Sequence, residues 1–207
     1  MRRFDIGLTV LALAAAATGG SLQAQDSRGQ SGAATSAQRP GHDTQSSQGD
    51  SRTFVNDMAV AGMAEVELGR MAADRASSAD VKSFGQMMVT DHTKANEELK
   101  PIASQLNIQP TTQLDQKHRD LANRLSKMKG TEFDREYMSA MVQGHQEVLS
   151  KLHARAGHQT AGAASQTAGG ASAASGEQAL TQWAAKTAPT VQQHLDRAKD
   201  IQQKVAK

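Results

Sequence analysis

Four long stretches of this chain repeat apolar residues at every third or fourth position, the spacing that lines one face of an α-helix. Phe54, Met58, Ala61, Leu68 and Ala72 mark the first, and Val81, Phe84, Met88, Ala95, Leu99 and Ile102 the second. Met138, Met141, Val148 and Leu152 mark the third, and Leu180, Ala184, Val191, Ala198, Ile201 and Val205 the fourth. A shorter stretch over residues 112–129 carries Leu114, Leu121, Leu125 and Met128. Of 207 residues, 38% are hydrophobic and only 3% aromatic, so a core must come from Leu, Val, Ala and the nine Met. That material is poor in strand formers. Four amphipathic helices, each needing a partner for its stripe, and one short segment to cross between them predict an all-α four-helix bundle with an additional crossover helix.

Local signals place the boundaries. Ser77 and Ser78 precede the second stretch as N-cap candidates, and Pro101 inside it predicts a kink or a split. Gly130 predicts the end of the short segment, and residues 131–134 have the form of a capping box for the next helix. Pro189 predicts a bend in the last helix, which is expected to start near Glu177. Residues 157–176 collapse to Gly, Ala, Ser, Thr and Gln and read as a flexible insertion. Residues 25–50 hold almost nothing apolar and read as a disordered linker, with His42 solvated and order starting at Ser51. Residues 1–24 read as a signal peptide: Arg2 and Arg3, an apolar run too short to span a bilayer, then small residues with a cut after Ala24. The expected mature domain is residues 51–207, periplasmic or secreted, with no transmembrane span once the signal is removed.

Net charge is only +2 and the basic residues are interspersed with acids, so no nucleic-acid partner is expected. There is no cysteine, which removes disulfides and thiol chemistry. No phosphate loop, nucleophile elbow or H-E-x-x-H occurs. What chemistry there is lies on the apolar stripes themselves. Glu65, His92, His145 and His194 each fall on the stripe of a different long helix, where a charged or imidazole side chain is costly unless paired or ligated. Three imidazoles and a carboxylate suit one divalent transition metal (Zn, Cu or Fe). The same four groups can instead satisfy one another without metal and fix which helices pair. Asp91 and Glu67 fall off the stripes and are placed to orient a ring from outside, Asp91 being the candidate singled out for that role. His118, His153 and His158 read as structural or solvated. Met58, Met88, Met138 and Met141 suit Cu(I) in principle, but methionine is a common filler of helical cores. Tyr137 and Trp183 read as packing anchors.

With those residues in view, the chain resembles the bacterial domain-of-unknown-function family 4142. The resemblance rests on "AGMAEVELGRMAADRASSADVKSFGQMMVTDHTKANEELKPIASQLNI", "LSKMKGTEFDREYMSAMVQGHQEVLSKL" and "APTVQQHLDRAKDI". The Asp91-His92 pair, the run from Phe133 through Tyr137 to His145 and the run from Pro189 to His194 are its specific parts. It implies a ferritin-like bundle and an exported protein, often labelled a predicted outer-membrane protein, but no established activity. Catalytic di-iron bundles carry Glu-x-x-His, whereas Val89, Val142 and Val191 stand three positions before His92, His145 and His194. The expected function is therefore binding of one metal ion through the His/Glu cluster rather than catalysis. The alternative is a non-catalytic envelope interaction or stress-protection protein whose polar cluster is purely structural, with an envelope protein as partner and an oligomeric state that the sequence leaves open.

Overall fold

The computed structural model describes residues 42–157 and 171–207, and the expectations for residues 1–41 and 158–170, His158 among them, lie outside these. Five helices follow in order: α1 (His42–Arg75), α2 (Ala79–Gln105), α3 (Gln116–Leu125), α4 (Gly130–Gly157) and α5 (Ala171–Val205). No strand occurs among the described residues. The architecture is the expected four-helix bundle with a crossover helix.

α1 packs on α2 and α4 on α5, while α2 also meets α5 and α1 meets α4. Directions follow from contacts at the helix ends. Lys204 near the end of α5 bonds Asp80 at the start of α2 (2.8 Å), so these two run antiparallel. Asp134 at the start of α4 bonds Ser77 and Ser78 just before α2, so α2 and α4 run parallel. Parallel helices need a long connection, and residues 106–129 supply it across the α1/α4 edge. Thr111 N donates to Asn56 on α1 (3.0 Å), and α3 reaches α4 through the Lys117–Glu147 and Arg124–Glu136 ion pairs.

The connection is punctuated where the chain must turn. α2 ends in a Schellman motif: Ile108 N bonds Ala103 O at 2.9 Å and Asn107 N bonds Ser104 O at 3.0 Å. Asn107 takes the left-handed φ of 54° that this motif requires, and Gly130 takes φ 66° where the chain enters α4. Asp115 caps α3 by accepting from His118 N at 2.8 Å, so that helix starts later than its apolar pattern.

Several boundaries depart from expectation, each for a local reason. α1 begins at His42 rather than Ser51. Of the added segment, residues 48–50 are exposed, and Ser51 directly after them is buried. α5 begins at Ala171 rather than Glu177, and Gly176 packs against Leu106, where a β-carbon would meet the Leu106 side chain at 2.9 Å. α2 is not split at Pro101: both Pro101 and Glu97, whose carbonyl loses its partner, are exposed. α5 likewise continues through Pro189. Ser78 is the N-cap of α2 without a side-chain cap bond. Asp134, 1% exposed, does that work instead, accepting from Ser77 N (3.1 Å), Ser77 Oγ (2.5 Å) and Ser78 N (2.9 Å). The acid expected within a capping box therefore pins the α1–α2 turn.

The interior divides into two apolar cores. One joins Phe54, Met58, Leu99, Leu149, Leu152, Leu180 and Trp183. The other joins Leu68, Phe84, Met88, Phe133, Tyr137, Met138, Met141 and Ile201. All four methionines that invite a copper reading belong to these cores. In sequence, Glu65, His92 and His145 fall between the residues of one core and those of the other on α1, α2 and α4, and His194 lies beside that boundary on α5, just before Leu195 of the first core and Ala198 of the second, so a polar layer crosses mid-bundle.

Candidate metal centre

Each of the four polar residues lies where its helical stripe predicts. Relative exposure is 7% for Glu65, 9% for His92, 1% for His145 and 3% for His194. The three rings converge from α2, α4 and α5, with centroids 5.5–5.7 Å apart in every pairing. One ring nitrogen from each lies within 4.8 Å of those from the other two. Phe84 packs beside His145 at 6.2 Å and walls off one side.

Hydrogen bonds fix the chemistry of two rings. His145 Nδ1 lies 2.8 Å from Met141 O. A carbonyl only accepts, so Nδ1 carries a hydrogen, and in the neutral ring the lone pair is on Nε2. His194 Nε2 lies 2.9 Å from Asp91 Oδ2, and a carboxylate likewise accepts, which leaves the lone pair on His194 Nδ1. Those nitrogens, His145 Nε2 and His194 Nδ1, are buried without a hydrogen-bond partner, and so is His92 Nε2. Unmade bonds at buried polar atoms cost about 1–3 kcal/mol each. The three imidazoles form a group that can hold a metal ion.

Glu65 stands beside this group and does not close it. Its Oε1 is 3.6 Å from His145 Nδ1, the nitrogen that faces Met141 O. That is too long for a hydrogen bond and close enough for strong electrostatic coupling. Gly144 lies beside the carboxylate, where a β-carbon would be in ordinary contact with Glu65 Oε1 at 3.6 Å. The structure thus brings His92, His145 and His194 together, with Glu65 behind His145 and Asp91 behind His194. Asp91 orients the ring of α5 rather than that of its own neighbour His92. Glu67 is exposed. His118, from the crossover, acts electrostatically on Glu65 while its own Nδ1 contacts Asp115 at 2.7 Å.

Burial sets the protonation of the layer. It holds His92 well below the ordinary imidazole range, reinforced by the His145 and His194 rings. His194 is lowered by burial too, against the opposing pull of its Asp91 bond. Both are therefore neutral imidazoles at neutral pH, the form that ligates metal. Burial raises Glu65, with His145 and His118 opposing.

Sequence reasoning missed a second polar cluster, toward the end of the bundle away from the α1–α2 turn. Ser51 Oγ donates to Glu177 at 2.7 and 2.8 Å, Arg155 pairs with Glu177, and the guanidinium lies 5.8 Å from the Phe54 ring centre. Ser51 lies three residues before Phe54, Arg155 three after Leu152 and Glu177 three before Leu180, just past the last apolar residue of each stripe, so the apolar repeat alone does not flag them. The cluster ties α1, α4 and α5 together through the Arg155 and Glu177 side chains, with Arg155 Nε left without a partner.

An all-helical four-helix bundle with a buried three-histidine layer and two flanking carboxylates is the class defined by this fold and site. The family model described as Domain of unknown function (DUF4142) matches residues 35–201, and the chain belongs to that family. No curated protein and no solved structure matches it.

Proposed function

We propose that this protein binds one divalent transition-metal ion through His92, His145 and His194, as a binding protein of the bacterial envelope rather than an enzyme. The observation that carries this reading is the trio of buried, partnerless ring nitrogens on three different helices. Imidazole nitrogens hold Zn²⁺ at about 2.0–2.1 Å, and one ring nitrogen from each of the three lies within 4.8 Å of the other two. The outer contacts fit the same reading. Ligating histidines commonly donate their other N–H to a carbonyl or carboxylate, as His145 does to Met141 O and His194 to Asp91. Imidazole ligands add no negative charge, and Asp91 behind His194 and Glu65 behind His145 are the acidic groups placed to offset the charge of a dication. Export to the periplasm belongs to the same reading and rests on residues 1–24.

The test is metal content by plasma mass spectrometry on mature protein purified from the periplasm without a His tag. A His92→Ala/His145→Ala double variant, checked for helicity, accompanies it. Near-stoichiometric Zn, Cu or Fe in the parent, lost in the folded variant, is expected. A metal-free parent that takes up none of these ions on titration makes the layer structural and returns the protein to the envelope-interaction reading.

A further inference from the structure

The three rings are not supported alike. His145 is held by Met141 O at 2.8 Å, with Glu65 behind it at 3.6 Å. His194 is held by Asp91 at 2.9 Å. His92 makes no hydrogen bond to any described residue; its neighbours are the other two rings, at centroid distances of 5.7 and 5.5 Å. It is also the most exposed of the three, at 9% against 1% and 3%.

Resting on the metal-binding reading above, we propose that the ion is exchangeable and that His92 is the ring through which it enters and leaves. His145 and His194 form a fixed pair, their tautomers set and their lone pairs presented before any ion arrives. An ion captured by that pair is completed by His92, whose rotation breaks no protein hydrogen bond. The same rotation in reverse opens the coordination shell on its least buried side. A ring braced like its partners would have to give up an outer hydrogen bond to move, and loss of such outer partners typically costs about 10–100-fold in affinity. The arrangement thus separates holding from release: Asp91 and Met141 O govern affinity, and the unbraced His92 governs exchange. A borderline divalent ion such as Zn²⁺, Cu²⁺ or Fe²⁺ is the ligand class, since three imidazoles and no thiolate are offered.

Two measurements test this on the mature protein. In the metal-free state, long-range ¹H–¹⁵N spectra of the histidine rings are expected to show His145 as the Nδ1–H tautomer and His194 as the Nε2–H tautomer. His92 is expected to show exchange broadening or averaged tautomers. With zinc loaded, stopped-flow transfer to excess chelator is expected to be far faster than global unfolding measured by hydrogen exchange. His92→Ala is expected to speed release by about tenfold or more, since changes at a binding site act mostly on the off-rate. Asp91→Asn is expected to weaken equilibrium binding. A His92 ring as fixed as the other two, or release only at the unfolding rate, overturns the exchange proposal and leaves metal binding standing. Failure to take up zinc, copper or iron at equilibrium overturns both. The ring spectra need no variant, so a misfolded substitution does not shield the proposal.

Discussion

His92 is neutral in the folded protein because burial, reinforced by the His145 and His194 rings, opposes its charge. In the unfolded chain the same ring titrates near its ordinary value of about 6.5. Below that pH the unfolded chain takes up a proton that folded His92 refuses, so acidification favours unfolding. The contribution is fully present above about pH 6.5 and is lost as pH falls toward the depressed folded value. His194 acts in the same direction. Glu65 acts in the other: its raised value lets the folded protein bind a proton first, which stabilises it as pH falls toward the unfolded carboxyl range. A His92→Leu variant separates these effects. Between pH 7.5 and 5.5 the stability of the metal-free parent relative to this variant is expected to fall, at a limiting slope of about 1.4 kcal/mol per pH unit. Denaturant melts of both proteins at the two pH values measure it, and a constant gap would show that His92 is protonated alike in both states. The stripe positions that the sequence assigned to Glu65, His92, His145 and His194 are buried as expected, because one residue of error in helical phase is about 100° and several apolar neighbours fix that phase. Which way each ring turns was not legible: it depends on Met141 O within one helix and on Asp91 reaching from α2 to α5.

At the scale of elements, the α1–α2 contact is closer than any apolar stripe specifies. A β-carbon on Gly69 would sit 2.5 Å from Gly85 O, and one on Gly85 would sit 2.7 Å from Gly69 O. Backbone cannot rotate aside, so Gly69→Ala must push the helices apart. Overpacking of this kind costs about 1–3 kcal/mol, against a helix-propensity gain of about 1 kcal/mol. A net loss of up to about 2 kcal/mol in denaturant unfolding is expected. Gly49→Ala on the same helix meets nothing within 4 Å and is expected to be neutral or stabilising by up to about 1 kcal/mol. If both variants behave alike, helix propensity alone governs α1. Asp134 gives a second prediction. Asp134→Ala strands Ser77 N and Ser78 N at the α1–α2 turn and is expected to cost about 2–3 kcal/mol, read the same way. Four long helices were legible because each carries many turns of apolar repeat. The starts of α1 and α5 were not, since those segments add helix without a continuous stripe. Nor was the role of Asp134, whose local sequence reads equally well as a cap for its own helix.

For the molecule as a whole, the polar layer lies between two apolar cores that draw on all four long helices. The candidate ligands come from α2, α4 and α5, and Glu65 supports one of them from α1. An ion bound there engages an arrangement that exists only when the bundle is assembled, because the three histidines stand 53 and 49 residues apart in sequence. It therefore binds the folded state and not the unfolded one, and stabilises the protein by RT ln(1 + [L]/Kd). At a free zinc concentration one hundred times Kd this is about 2.7 kcal/mol. A chain of this size gains about 2–4 °C in Tm per kcal/mol, so a rise of about 5–11 °C is expected at pH 7.5. His145→Ala is expected to abolish the rise, because it removes the most deeply buried of the three rings. Lys117→Ala is expected to leave it intact, since that exposed ion pair on the crossover is worth about 0–1 kcal/mol and does not touch the layer. Thermal melts of the three proteins, with zinc buffered by a chelator, decide the matter. A zinc-dependent rise that survives in His145→Ala would move the site to the exposed histidines and carboxylates. No rise in the parent would mean that the bundle holds its three imidazoles together by packing alone.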